Sequence, residues 1–487
     1  MWTLNISIYY HHRPRLAQVR CLPGKKLDPP NKVEKNRKSK PKQPRDAKAR
    51  RQVRYLSRLE VLPKELLQQI FFYSLNLNFT CVSTSITAAI TNERIYGLLI
   101  LQACWKGPEG QEPCAAVRRY FAPMEFTPLS TEDRTQLQSV MFQCPWFTAD
   151  RLRAQVSTLM MLNIHQYWLK DVTMEPQQKT ALAQLMSKAD NAPRDFHGDG
   201  PPLQHFLDKL NHPFDEHNRR EYLSSPGAHS YDLHISDYME LEIRRTNMPK
   251  LTDAVIRIPA ISLLCIPDHL YRGDSDHFPT EDLKTLETLR LCSGLFLAPG
   301  LPPLPTPITI NRPALHRGVK MSIKSKDFVA LTSLLKLEEY CIRFGTQVRD
   351  HIYLISEEHF IRVARLREHP IKKVVLFRNL LRASAESVPP MSEEVIAWNN
   401  KNKTRPACKE VNFPKFAHWL SDFMLDLPND VGKEKDQMKR QLFYCGGLDH
   451  QSRHAEGYLE AISPKTLGPW MPASSGFPVQ QLWQKSG

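Results

Sequence analysis

Apolar residues recur at four-residue spacing from Leu62 through Leu66 to Ile70, with Leu67 and Phe71 one position round and Lys64, Gln68 and Gln69 on the polar side. That period predicts an amphipathic helix with one wide apolar face. Pro63 suits the first turn, where its missing N–H would have had no intrahelical acceptor, and Glu65 complements the positive helix end. Asn78 is placed to cap a second short helix carrying Val82, Ile86 and Ala89. Thr91 or Asn92 can cap a third, with Ile95, Leu98, Leu99 and Ala103 as its stripe. A three-helix piece over residues 58–105 is near the size at which one core becomes marginal. Its Leu, Ile and Phe side chains, each worth about 1.5–3 kcal/mol when removed from water, therefore need further cover from a partner or from the rest of the chain.

Helical periodicity returns further along. Residues 107–128 are rich in Pro, Gly and small residues and read as a connector. Over residues 130–190, Ser130 or Thr131 caps a helix through Met141. Thr148 caps another with Leu152, Val156, Leu159, Met160 and Ile164 as its stripe, and a third runs from Pro176 through Met186. Met160 and Met161 read as core filling. Residues 191–275 read as mixed loop and minor β: 190–230 is broken by Pro, Gly, Asn and His, Tyr231 to Ile235 alternates with period two, and Ala254 to Ile258 is a β-branched run. In residues 278–389, Thr280 opens a helix with Leu283, Leu286 and Leu289, stopped by Gly294. Prolines 299, 302, 303, 305, 307 and 313 make Ala298 to Pro313 a stiff loop. Phe328, Leu331, Leu334 and Leu335 mark the next helix, Phe360, Ile361, Ala364 and Leu366 another, and Val374, Val375, Leu380 and Leu381 a third. Residues 390–487 mix helices (Phe416 to Leu425, Asp436 to Tyr444) with loops and end in a Pro/Gly/Ser-rich tail. The fold class is mainly α: a three-helix module, then an irregular multi-helix domain with at most minor β.

The segment Leu62-Pro63-Lys64-Glu65-Leu66-Leu67-Gln68-Gln69-Ile70-Phe71, followed by Val82-Ser83, resembles an F-box: a Leu-Pro opening, a first helix of the Glu-Leu-Leu-x-x-Ile-Phe kind and a Val-Ser pair beginning the next helical stretch. The match covers about 45 of the 487 residues. Cys144-Pro145-Trp146-Phe147-Thr148-Ala149-Asp150-Arg151-Leu152 and the helix to Trp168 resemble the body of filamentous-fungal F-box proteins. The resemblance implies a Skp-type adaptor of a cullin-RING ubiquitin ligase as partner, with Leu62, Pro63, Leu66, Leu67, Ile70, Phe71, Val82, Ser83 and Ile86 as the adaptor-binding residues. Phe328 and Phe360, with the run Val374 to Ala383, faintly resemble an ankyrin-type helix pair, but no Thr-Pro-Leu-His turn accompanies them. Stacked helices offering a surface to a protein partner are expected there.

The net charge of +15 suggests a nucleic-acid binder until it is located. Residues 1–54 hold 16 Lys or Arg against Asp28, Glu34 and Asp46, so nearly all of the excess belongs to this tail. Residues 31–54 have almost no large apolar side chains, a composition expected to be disordered. Lys35, Arg37, Lys38, Lys40, Arg50 and Arg51 resemble a nuclear-import sequence or a phosphate anchor. No aromatic residue interleaves the run to stack on bases, which argues against nucleic acid as the partner. The apolar stretch at residues 2–10 is short for a secretory signal, and no run reaches the 18 or more residues of a membrane span. Ten cysteines without a C-x-x-C pair fit reduced thiols inside the cell, nuclear or cytoplasmic.

Complete nucleophile-elbow, zinc-protease, phosphate-loop and dinucleotide motifs are absent. His450, Asp449 and His454 form one polar grouping, and His197, Asp199 and His205 another; neither supplies a third ligand at diagnostic spacing, so both read as polar loops. No catalytic residue, cofactor or metal is expected. Two functions compete: an F-box adaptor that docks the Skp-type protein and presents a protein target for ubiquitination, or a helical interaction or nuclear scaffold protein whose basic tail binds nucleic acid or acidic partners.

Overall fold

The computed structural model describes residues 57–107, 113–122, 126, 128–187, 194–200, 229–235, 240–246, 255–273, 278–295, 308–344, 355–383, 391–408 and 412–433. Among these are fourteen α-helices and one four-stranded sheet. The six basic residues of the import-like run, the Asp436 to Tyr444 helix and the His450 and His454 grouping lie outside the described residues. The chain divides into two compact units between Ile95 and Tyr96.

In the first unit, Pro63 stands at the cap of α1 (Lys64–Ser74), and its carbonyl accepts from the Leu66 and Leu67 amides. The expected Asn78 cap is replaced. Asn76 instead accepts from the Asn78 amide and opens a short 3-10 helix, Leu77–Cys81, and Ser83 Oγ then caps α2 (Thr84–Ile90) by accepting from the Ile86 amide at 3.2 Å. A Ser hydroxyl at an N-cap satisfies one of the donors that a helix start leaves unpaired, so the Val-Ser pair, rather than Asn78, sets the beginning of α2. Gln68 Nε2 donates to the Ala89 carbonyl at 2.9 Å and ties α1 to the end of α2. Asn92 caps α3 (Glu93–Cys104), accepting from the Ile95 amide at 3.0 Å.

The module expected over residues 58–105 is therefore split inside α3. From Tyr96 onward that helix belongs to the second unit: Tyr96 stacks on Trp146 at 4.4 Å, and Leu99, Ile100 and Ala103 are buried. Around it stand α4 (Ala115–Phe121), α5 (Thr131–Met141), α6 (Ala149–Tyr167) and α7 (Pro176–Ser187). Ser130 and Thr148 cap α5 and α6 as expected. The α6 stripe of Leu152, Val156, Leu159, Met160 and Ile164 is buried throughout. α4 lies within the stretch read as a connector. Its Val117 and Phe121 are buried, and Phe121 packs near Trp105, so two apolar anchors suffice to fold a seven-residue helix that is too short to show a period.

The sheet is an antiparallel meander in the order β1 (Arg194–Gly200), β2 (His229–Ile235), β3 (Glu240–Arg245), β4 (Val255–Pro259). β2 follows the alternation and β4 the β-branched run read from sequence, whereas β1 falls in the segment expected to be loop. Its Phe196 sits opposite Leu233, which sits opposite Ile243, and Ile243 opposite Ile256, so one apolar row crosses all four strands. The glycines that disguised β1 answer a close approach: a Cβ on Gly200 would lie 2.1 Å from the Asp171 carbonyl oxygen. Thr173 exchanges two backbone hydrogen bonds with Asp199, at 2.7 and 3.0 Å, along that same side of β1. In β3, Glu240 is buried and paired with Arg257 of β4, which lets a charged residue occupy an inward position.

Beyond the sheet lie α8 (Thr280–Cys292), α9 (Arg312–Ser325), α10 (Phe328–Phe344), α11 (Glu357–Arg365), α12 (Pro370–Ala383), α13 (Glu393–Lys403) and α14 (Phe413–Lys433). Pro279, not Thr280, occupies the cap of α8, while Gly294 does adopt the left-handed backbone of a stop, at φ 73°. Pro313 does not extend a proline loop but sits in the first turn of α9, behind an Asn311 cap that accepts from the Ala314 amide. α8 is buried on nearly all sides. Its Arg290 and Glu287, 0% and 1% exposed, pair with each other at 2.8 Å, and Lys336 of α10 approaches Glu287 at 3.7 Å.

The extended stretch between β4 and α8 is largely enclosed, with Ala260, Ile261, Leu263, Leu264 and Ile266 all buried. Gln138 of α5, itself fully buried, serves three of its neighbours: Nε2 donates to the Ala103 and Ser262 carbonyls at 2.8 and 2.7 Å, and Oε1 accepts from the Leu264 amide at 2.9 Å. Asn163 of α6 accepts from Trp105 Nε1 at 2.9 Å and donates to the Pro259 carbonyl at 3.1 Å. Gln138→Ala strips two buried backbone groups and one part-buried one of a partner, at about 1–3 kcal/mol for each buried group, so urea unfolding is expected to show a loss of at least about 2 kcal/mol. The exposed neighbour Gln143→Ala should change stability by less than about 0.5 kcal/mol.

Candidate partner-binding surface

The nine residues assigned to adaptor binding do not share one side of the first unit. Leu67, Phe71 and Ile86 point inward, at 3%, 1% and 0% exposure, and Phe71 faces Phe79 with ring centroids 6.4 Å apart. They form the seam between α1, the 3-10 turn and α2, so in this structure their side chains pack within the chain rather than outward. Ser83 is engaged as a cap, and Leu62 is half-buried. Pro63, Leu66, Ile70 and Val82 are exposed.

Leu66 and Ile70 are 43% and 38% exposed, and Tyr73, which is not among the nine, is 70% exposed. These three follow i, i+4, i+7 spacing and therefore make one outward stripe on α1, about 100° round from Leu67 and Phe71. Val61 before the helix and Val82 before α2 are also outward. Of the nine large hydrophobic residues exposed among the described residues, five fall between Val61 and Val82, whereas Val329, Met391, Ile396 and Leu425 are dispersed. Scattered exposure needs no explanation, whereas five such residues within 22 positions are a local concentration of exposed apolar side chains. Tyr73 has a sequence signal: it is the next step of the stripe that begins at Leu66.

The second unit holds the charged groups that most resemble reactive chemistry. His197 and Asp232 stand opposite each other on β1 and β2 at 2.9 Å, and His234 and Asp195 repeat the pairing at 2.7 Å. All four are on the exposed face of the sheet, so these are cross-strand pairs of the kind that stabilise a ladder, not a loop as expected for His197. His205 lies outside the described residues. Among the described residues no group of three or more His, Cys, Asp and Glu is placed to hold a metal ion, and no helix is long and apolar enough to cross a membrane. Burial pushes the Cys104, Cys265 and Cys292 thiols up to about 12, which leaves them as unreactive core residues.

A tighter cluster joins α9, α10 and α11. Glu338, 1% exposed, accepts on Oε1 from Arg312 Nη2 and from His316 Nε2, both at 2.9 Å. Burial alone would raise its carboxyl; the His316 and Arg312 contacts outweigh that and hold it below the usual range. His359 stands edge-on to His316 with centroids 5.7 Å apart, and neither of its ring nitrogens has a hydrogen-bond partner. No hydroxyl or thiol among the described residues is hydrogen-bonded to either imidazole, so the cluster has a base and an orienting carboxylate without a nucleophile.

Burial, reinforced by His316, pushes His359 down to about 4, against the opposing pull of Glu338 and Glu358. An unfolded His binds its proton below about 6.5. Between pH 6.5 and 4 the unfolded chain therefore takes up a proton that the folded chain refuses, so the full stability is present above pH 6.5 and declines as pH falls through that window. His165 and His269, lowered chiefly by burial, act with the same sign. Chemical denaturation should register a decline of up to about 3 kcal/mol from His359. His359→Leu should flatten the profile between pH 6.5 and 5, and an unaltered slope would place the dependence elsewhere.

Comparison of the chain with protein-family models, with curated proteins and with solved structures finds no match.

Proposed function

We propose that this chain is an F-box-type receptor: its first unit docks a Skp-type adaptor of a cullin-RING ubiquitin ligase, and its larger helical unit holds a protein target for ubiquitination. The observation that carries this reading is the outward stripe Leu66, Ile70 and Tyr73, set behind the Leu-Pro opening, with Val82 also exposed in the same unit. An inward seam of Leu67, Phe71, Ile86 and Ile90 already supplies the unit's own core, so the stripe is surplus to folding. Covering what remains exposed of Leu66, Ile70 and Tyr73 recovers part of the about 1.5–3 kcal/mol that full burial of a large apolar side chain releases, and three anchors on one stripe give a docking helix directionality. In this role the chain itself breaks no bonds. It raises the effective concentration of a target near a ubiquitin-charged enzyme, which needs two binding surfaces on one polypeptide and no cofactor.

The test is co-purification of the full chain with a co-expressed Skp-type adaptor. The intact chain is expected to co-elute with it, and the Leu66→Asp/Ile70→Asp double variant to lose at least ten-fold of the recovered adaptor with its thermal unfolding unchanged, because both side chains already face water. Failure of the intact chain to co-elute, or undiminished co-elution of the double variant, overturns the reading.

A further inference from the structure

A cavity of about 540 Å³ opens where the loop between α11 and α12 meets the end of α13. It falls within the size range of small-molecule sites. Its charge is one-sided. Arg367 comes from the loop, Lys373 from the first turn of α12, Lys401 from the last turn of α13, and Arg405 from just beyond. Lys373 Nζ is held in place by donating to the Ala364 carbonyl at 2.7 Å, and the Arg405 guanidinium lies over the Phe413 ring at 5.4 Å. The cations crowd one another: burial first, then the charges of Lys401 and Arg405, pull Lys373 below the ordinary lysine range.

The neighbouring charges are treated differently. Arg362 and Arg365, one turn away on α11, are neutralised by Glu358 and Glu394. Glu368, the carboxylate at the cavity itself, is turned to Lys326 and to Lys372 at 3.4 Å. Among the described residues no carboxylate pairs with Arg367, Lys401 or Arg405. Like charges brought together without counter-charges repel, and an anion placed among them would relieve that repulsion and gain charge-assisted hydrogen bonds.

Two further features point to the ligand. Asn402 lines the cavity at 1% exposure, and its Nδ2 has no hydrogen-bond partner, an unmet donor that costs about 1–3 kcal/mol unless something accepts from it. The N-terminus of the fourteen-residue α12 also lies at the wall: Lys373 makes the first bond back, to His369, so the Ile371 and Lys372 amides lack an acceptor within the helix. Four cations, an amide donor and a helix start exceed what one carboxylate can satisfy. A phosphomonoester carries about −1.5 to −2 charge at neutral pH and three strong acceptor oxygens. The indole of Trp398 adds an apolar wall for the body that bears it.

We propose that this cavity binds the phosphate group of a phosphomonoester, with Lys373, Lys401, Arg405 and Arg367 as its cation cage and Asn402 as its directional donor. The site is independent of adaptor docking by the first unit. Its test is isothermal titration of the full chain, at fixed ionic strength, with inorganic phosphate, free O-phosphoserine, and a serine-phosphorylated hexapeptide beside its unphosphorylated form. Saturable binding of phosphorylated probes is expected, weakened at least ten-fold by Lys401→Ala/Arg405→Ala and by Asn402→Asp. Lys403→Ala, in the same last turn but off the cavity, should leave it within two-fold. Binding of all phosphorylated probes supports the site with a free metabolite as its ligand; binding only of the phosphopeptide supports it with a protein segment as ligand. Absence of saturable binding, or equal losses in Lys403→Ala and in Lys401→Ala/Arg405→Ala, overturns it, and circular dichroism of each variant separates these outcomes from misfolding.

Discussion

Enclosing an irregular stretch of main chain is the constraint on which the larger unit turns. A backbone buried outside helix or sheet needs partners for its amides and carbonyls, and residues 259–266 find many of theirs on neighbours from distant parts of the chain. Gln138 from α5, Asn163 from α6, the Cys104 carbonyl at the end of α3 and the Cys292 carbonyl at the end of α8 all bond to it. Each partner is fixed by its own helix, so the stretch acts as a common seat that sets those helices against one another. The hydrophobic stripes decide which faces turn inward; the polar contacts at the seat decide the position along the axis.

Much of this was legible where one local rule governed. Ser130, Thr148 and Asn92 cap helices because their side chains reach amides two or three residues on, an interaction confined to one turn. The α6 stripe and the alternation of Tyr231, Leu233 and Ile235 survive because a single face is buried. What escaped depends on residues remote in sequence. β1 has glycines where it meets the Asp171 backbone and so lacks strand propensity of its own; it is a strand because β2 pairs with it. α9 was hidden by a proline that starts the helix rather than ending it. In β3, Glu240 breaks the apolar alternation, and only Arg257 on the next strand makes that position tolerable.

The candidate surfaces follow the same division. Periodicity located the apolar side chains of α1 but could not assign each to the inner seam or the outer stripe, since Leu66 and Leu67 are chemically identical and differ only by one step of rotation. The cation cage was invisible in sequence: Arg367 and Lys401 stand 34 residues apart, and the acids that would be counted against them are engaged elsewhere. Net charge near zero over residues 55–487 therefore conceals a local excess, because ion pairs such as Arg290 with Glu287 remove charges from the account selectively.

The close approach of Asp171 to Thr173 along β1 has a consequence for how this molecule behaves in a crowd. An outermost strand with free amides and carbonyls is a template on which another chain can grow a cross-β stack. At the glycine end of β1 that template is already occupied by the protein's own main chain, and the absence of side chains there is what allows so snug a seal. Replacing either glycine with a bulkier residue would pry the cover away, so the harm would extend past local strain to self-association of the partly opened sheet.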